Sequence, residues 1–187
     1  MFIRPEIDDY LLSDICKTLG TTMTRLQGDA VRFIAEYTDA YEIKDINQVA
    51  YIIATCYHES NFLPIKERRA RSGTAVRAMQ DKYWYTGYYG RGYPQLTWEN
   101  NYRKFSKITG KDLVKNPDLM LQPETGAQVL VIGMNDGLFT GKKLGDYFTD
   151  KLTDPVEARR IVNGTFQADK VALAYLKILP VLQKRFF

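Results

Sequence analysis

The strongest constraint on the fold is where helical periodicity stops. Before Ser60, and again after about Thr97, apolar residues recur three and four apart, the spacing of amphipathic helices. From Phe62 to Gly92 that period weakens. Residues 66–82 carry six basic side chains (Lys66, Arg68, Arg69, Arg71, Arg77, Lys82) against two acids, Glu67 and Asp81. Residues 83–98 then read YWYTGYYGRGYPQLTW. Gly87, Gly90 and Gly92 predict turns, with short strands such as 95–97 at most. A loop of this length in a compact domain is functional or disordered, and its aromatic content argues against disorder. The chain therefore predicts one mainly α catalytic domain over residues 1–187. A small loop-rich lobe, about 62–97, is inserted after a helix ending near Ser60 and holds at most a short β-hairpin.

The helical parts read in order. Ile7, Leu11, Ile15 and Leu19, followed by Gly20, predict a helix over residues 5–19 with a glycine stop. Met23, Leu26, Ala30, Phe33, Ile34 and Tyr37 define the inward face of a second. Asp45 opens a third, with Gln48 at capping-box spacing. Thr97 caps a helix carrying Trp98, Tyr102 and Phe105 that ends near Gly110. Pro123 begins one running to about Gly137, with Ala127, Leu130 and Met134 inward. Asp154, Pro155 and Glu157 start another that ends at Asn163-Gly164. The last covers 168–187, with Pro180 as a kink or break.

One carboxylate stands out on the third helix, NQVAYIIATCYHES. Glu59 is three residues past Cys56 and seven past Ile52, which puts it on their apolar side. It also lies at the helix C-terminus, where the macrodipole disfavours negative charge. Both effects raise a carboxyl pKa, and a carboxyl that keeps its proton near neutrality can act as a general acid. The competing reading is a helix-end Glu turned to solvent. Glu67 follows among Lys66, Arg68 and Arg69, which favour its ionised form. Two carboxylates under opposite pressure suit acid and base roles, although eight residues span anything up to ~27 Å. Beyond them, the glycines let backbone approach a ligand, tyrosine rings can pack on sugar faces, and Gln95 and Asn101 can bond hydroxyl or acetamido groups. Thr97 and Asn163 also have purely structural readings, as a helix N-cap and a helix C-terminus.

Composition excludes some classes. No run approaches the ~18 apolar residues of a membrane helix. Residues 1–10 hold Arg4, Glu6, Asp8 and Asp9 with no apolar stretch behind them, so no signal peptide is expected. The two cysteines, Cys16 and Cys56, read as buried free thiols of a reducing compartment. With His58 the only histidine and the cysteines far apart, no metal site and no cofactor is expected. The net charge of +4 permits an anionic partner such as nucleic acid or cell wall. Basic residues interleaved with aromatics suit single-stranded nucleic acid, but no nucleic-acid motif is present. Leu173, Leu176, Leu179 and Leu182, with Lys177, Lys184 and Arg185, can form an amphipathic segment touching anionic membrane. Core packing is the competing reading.

The motifs His58-Glu59-Ser60, GYYGRGYPQLTWENNY and Arg159-Arg160-Ile161-Val162-Asn163-Gly164 resemble those of family 19 glycoside hydrolases. KNPDLML and GMNDGLFTGKKLGDY are similar to the phage endolysin and lysozyme-like branch. The resemblance covers about Val49 to Asn163. It implies a lysozyme-like helical fold with a small strand-containing lobe, and an inverting mechanism in which one carboxyl protonates the glycosidic oxygen while the other activates water. By motif position it implies Glu59 as acid, Glu67 as base and Thr97 as a hydroxyl that helps hold the water. It places Tyr88, Gln95, Asn101 and Asn163 at substrate contacts, and His58 as a group orienting its neighbours. Arg68 and Tyr89 complete the candidate substrate-binding set. The Glu59 to Glu67 spacing is shorter than in plant chitinases. The expected function is a monomeric endolysin that cleaves peptidoglycan glycan strands. It would be made in a host cytoplasm and would reach the wall through a pore-forming partner. A chitinase is the alternative within the class.

Overall fold

The computed structural model describes residues 7–186. Among the described residues there are seven α-helices: α1 (Asp9–Leu19), α2 (Arg25–Ala40), α3 (Ile46–Ser60), α4 (Ala75–Gln80), α5 (Glu99–Thr109), α6 (Pro123–Asn135) and α7 (Ala168–Phe186). One antiparallel pair, β1 (Phe148–Thr149) and β2 (Leu152–Thr153), is the only named sheet among the described residues. The mainly α expectation holds, but the hairpin lies outside the 62–97 lobe. Within that lobe only isolated bridges form, Lys66 with Arg91 and Arg91 with Leu96. Polar turn residues around Asp150 hid the real strands, which are too short for an alternation to show.

The helix boundaries follow from their caps. The Asp8 side chain accepts from Leu11 N at 2.8 Å, and α1 ends at Gly20 with φ 69°. Residues 5 and 6 of the expected first helix lie outside the described residues, and the helix itself begins at Asp9. Thr24 and Gln27 form a reciprocal capping box on α2. The buried face of α2 is Gln27, Gly28, Ala30, Val31, Ile34 and Thr38, while Leu26 is exposed. Of the expected face, Ala30 and Ile34 are buried and Met23, Phe33 and Tyr37 pack half-buried against the core, so Leu26 alone of the six departs from it. Asp45 caps α3 through Asn47 N, while Gln48 donates to Phe148 O, so no capping box forms there.

The core gathers α1, α2, α3, α6 and α7. Helix α3 packs chiefly on α7, and α2 on α6. All eight residues from Val49 to Cys56 are buried, so α3 is a central helix without a polar face. Tyr51, Phe148 and Tyr175 form an aromatic triangle with centroids 5.1, 5.6 and 6.1 Å apart, each contact worth about 0.5–1.5 kcal/mol beyond area burial. Ala127, Leu130 and Met134 of α6 are buried as the spacing predicts. Helix α7 continues through Pro180. Its leucines do not share one surface: Leu173 and Leu176 are exposed and Leu182 is buried. That breaks the proposed membrane stripe, because Leu182 belongs to the core. Cys56 is buried and Cys16 only half-buried, both as free thiols. Burial pushes the Cys56 thiol well up. No helix among the described residues is long and apolar enough to cross a membrane.

A second, smaller cluster joins Leu96, Tyr102, Phe105, Leu113, Met120 and Val129. It seats the end of the small lobe against α5, the 3-10 turn Pro117–Leu121 and α6.

Candidate active site

Glu59 sits on the last turn of α3, and that turn is rigidly closed. Asn61 adopts φ 50°, its N–H donates to the Tyr57 carbonyl at 2.8 Å, and the N–H of Phe62 closes onto the Cys56 carbonyl. The Asn61 carbonyl accepts from Gln27 Nε2 at 2.9 Å. Phe62, next in the chain, is fully buried and also has positive φ. The Glu59 carboxyl does not face an apolar surface. It forms a close ion pair with Arg159, from the 3-10 turn Glu157–Ile161. The two side chains are 15% and 3% exposed, so this pair is largely withdrawn from water. Arg159 also donates through Nε to Phe166 O. The apolar-face argument fails because α3 is buried on all sides, leaving no distinct face. The partner came from a segment a hundred residues away, read as an α-helix running to Asn163 but forming only a 3-10 turn after Asp154 accepts from Glu157 N.

On the same strip of α3, four and eight residues before Glu59, Thr55 Oγ1 and Tyr51 OH are buried without a hydrogen-bond partner. Burial pushes the Tyr51 phenol well up, partly offset by Arg159. His58 is half-buried. Burial lowers its pKa below the ordinary value, Glu59 opposes this, and Arg159 and Lys170 add to it.

Glu67 stands where the lobe folds over itself. Its backbone N–H donates to Gly90 O at 2.8 Å. Its carboxylate accepts from Gln80 Nε2 (2.9 Å) and Tyr83 OH (2.8 Å) at Oε1, and from Gly90 N (3.0 Å) at Oε2. A Cβ at position 90 would lie 3.3 Å from Glu67 Oε2 and 2.9 Å from Gln95 Oε1. A side chain there would displace the Gln95 amide and press on Glu67. The expected cationic surroundings of Glu67 are corrected: Lys66 pairs with Asp118 and Arg69 with Asp81, while Arg68 is exposed. Neutral donors hold the carboxylate instead. Burial together with this hydrogen bond raises the Tyr83 phenol strongly, so it stays a donor.

The lobe is braced by alternating cations and rings. Arg69 lies 4.7 Å from the Tyr85 centroid and 4.8 Å from that of Trp84. Trp84 stacks on Tyr89 at 4.3 Å and 13°. Arg91 in turn lies 4.1 Å from Tyr89 and 5.9 Å from Tyr102. Arg91 is 4% exposed and donates to Asp118 (2.6 Å), Gly87 O, Tyr89 O and Tyr102 OH. Lys66 and then Arg91 hold the Asp118 carboxyl below its ordinary pKa.

The remaining candidates are structurally engaged. Thr97 donates to Gln95 O rather than capping α5, whose N-cap is Trp98. Gln95, at φ 53°, donates to Ile65 O and Gly92 O. Asn101 Nδ2 donates to Thr97 O, and Tyr88 OH to Val114 O. Tyr89 is inside the stack. Asn163 is exposed, with Oδ1 accepting from Gly164 N. Glu67, Tyr89 and Gln95 thus meet within one lobe, through Gly90 and the Trp84–Arg91 stack. Glu59 and His58 belong to α3, and Asn163 follows the turn carrying Arg159. The sequence reading assigned no role to Arg159, Gln80, Tyr83 or Arg91. Arg159 was within reach, since it opens the Arg-Arg-Ile-Val-Asn-Gly motif. Gln80 carried no signal. No group of three or more potential metal ligands occurs among the described residues.

Comparison with known proteins adds a partial likeness. The model of glycoside hydrolase family 19, described as chitinase class I, matches residues 45–129. Over 85 residues the chain is 34% identical to an endochitinase of Arabidopsis thaliana, covering 43% of this chain and 29% of the plant protein. The chain thus spans less than a third of that relative. It also superposes on chitinase C from Streptomyces griseus with a TM-score of 0.64, over 94% of this chain and 78% of that one. At 15% identity this likeness shows the fold: mainly helical, with a lysozyme-like arrangement.

Proposed function

From the match of residues 45–129 to the glycoside hydrolase family 19 model, we propose that the chain hydrolyses β-linked glycans containing N-acetylglucosamine, with inversion at the cleaved carbon. Chitin oligomers are the first substrate to test. The reading rests on one observation: two carboxylates on separate elements, each fixed by its own protein partners. Glu67, held by three neutral donors, acts as the base that takes a proton from water. Its acceptor capacity beyond those bonds faces the nucleophile, and Thr97 stands in the same lobe to help hold that water. Glu59 acts as the acid that protonates the leaving oxygen. For a proton to sit there, Arg159 must release the carboxyl as substrate enters, while its Nε bond to Phe166 O keeps the guanidinium anchored. Arg68, Tyr88 and Asn163 border the substrate.

Hydrolysis of N-acetylglucosamine hexamer, followed by NMR of the newly formed anomer, tests this. The α-anomer should appear first. Glu59→Gln and Glu67→Gln should each lower turnover by about 10²–10⁴-fold, the usual worth of a general acid or base. A first-formed β-anomer, or full activity in both variants, overturns the assignment.

A second reading takes peptidoglycan as substrate. It is favoured by the net charge of +4 and the basic 66–82 run, which suit an anionic wall. On this reading the protein is an endolysin-type muramidase, and it clears permeabilised Gram-negative cells while leaving chitin hexamer intact.

A further inference from the structure

The chain has two tryptophans, and the fold treats them in opposite ways. Trp84 is half-buried and covered on its faces: it stacks on Tyr89 at 4.3 Å and carries the Arg69 guanidinium over its ring. Trp98 is 46% exposed. Its backbone has φ 75° and ψ 135°, a conformation that side-chain-bearing residues rarely adopt. That conformation is held from both sides. Trp98 N donates to Tyr88 O at 2.8 Å, and Trp98 O accepts from Asn101 N at 3.0 Å and Tyr102 N at 3.3 Å. The constraint keeps a large apolar ring at the surface where the chain could have turned it in. Strained backbone that the surroundings over-determine clusters at ligand sites.

The position of the ring indicates what it serves. The indole meets Tyr83 edge-on, at 5.2 Å and 69°. The hydroxyl of Tyr83 donates to Glu67 Oε1. One side chain therefore separates Trp98 from the carboxylate proposed as the base. We propose that Trp98 is a stacking platform for the face of an N-acetylhexosamine ring seated next to Glu67. This deepens the glycosidase reading and rests on it.

Charge favours a neutral sugar over a nucleobase, the other ring that stacks on tryptophan. The cations that brace the lobe are already paired, Lys66 and Arg91 with Asp118, Arg69 and Arg77 with Asp81. What remains beside Trp98 is a carboxylate, which repels phosphate.

The test uses a Glu59→Gln background, so that glycan is not consumed. N-acetylglucosamine hexamer and a purified muramic-acid-containing glycan strand are titrated by calorimetry and by tryptophan fluorescence. At least one should bind with a change in emission, and Trp98→Phe should remove that change. Trp98→Gly should weaken binding by about tenfold or more, on the scale of aromatic stacking on a flat ring. Glycine adopts φ 75° freely, so its melting temperature should be no lower than that of the parent. Unchanged affinity in Trp98→Gly overturns the platform and leaves the glycosidase reading standing. Binding of oligothymidine in place of both glycans overturns the platform. If neither glycan binds and the unsubstituted protein cleaves neither, both the platform and the glycosidase reading fall.

Discussion

The helical core and the small lobe are held together by different physics. The core around α3 is dry: Val49 to Cys56 are buried without a break, and α7 and α6 close over them and over α2. Its cohesion is apolar area and dispersion. The lobe from Phe62 to Thr97 has almost no apolar interior of its own. It is held by Arg91 reaching four acceptors, by the cation and ring stack from Tyr85 to Tyr102, and by the carboxylate of Glu67. A polar assembly of this kind fixes direction better than it supplies stability. The core sets whether the protein folds and carries Glu59, and the lobe sets where Glu67 and the rings point.

The contrast breaks most visibly in the core. Leu130 is fully buried on α6, and Leu130→Ala should cost about 2–5 kcal/mol. Urea unfolding followed by circular dichroism should show one lower midpoint for the whole chain. Arg91→Met should do less to global stability and more to the lobe. Removing a buried charged donor leaves the Gly87 carbonyl without its Arg91 partner and the Tyr89 carbonyl with Tyr102 OH alone, about 1–3 kcal/mol of local destabilisation. Hydrogen exchange should speed up over residues 65–97 while α3 and α7 stay protected, and catalysis should fall with the lobe. If α3 exchanges equally fast, the two regions are one cooperative unit.

The smallest expected effect tests the seam between them. Burial lowers the pKa of His58. A group whose folded pKa is depressed gives stability above its unfolded value of about 6.5, and that stability is lost as pH falls toward the folded value. Stability should therefore decline as pH drops below about 6.5, by under about 1 kcal/mol. His58→Gln should flatten that part of the curve. A curve of equal slope in both proteins would mean that another group titrates there.

The same division explains what the sequence disclosed. Helices announce themselves through spacing and caps, so Gly20, Asp45 and Pro123 marked their ends well, and Ala127, Leu130 and Met134 fell inward as read. The insertion after Glu59 was also visible, because periodicity fails there. Partner choice was not visible. Nothing local says that Arg159 closes on Glu59, or that Lys66 turns to Asp118 and leaves Glu67 to Gln80 and Tyr83. Such choices depend on which segments the core brings together. Nor could spacing show that Gln95 and Asn101 donate to nearby carbonyls, since an amide that ties a loop looks like one that reads a ligand.

The grip on Glu67 has a consequence for how such a site can change. Its donors come from positions 80, 83 and 90, so one carboxylate draws shut a loop whose ends lie 23 residues apart. The proposed chemical group is also the clasp of its own pocket. An amide at position 67 would bring an N–H face toward at least one donor that now finds an oxygen. Loss of the proton acceptor and loosening of the loop then arrive in a single step. A lineage that abandoned hydrolysis through position 67 would lose the shape of the lobe with it. One that abandoned it through position 59 could keep the lobe intact as a binding surface.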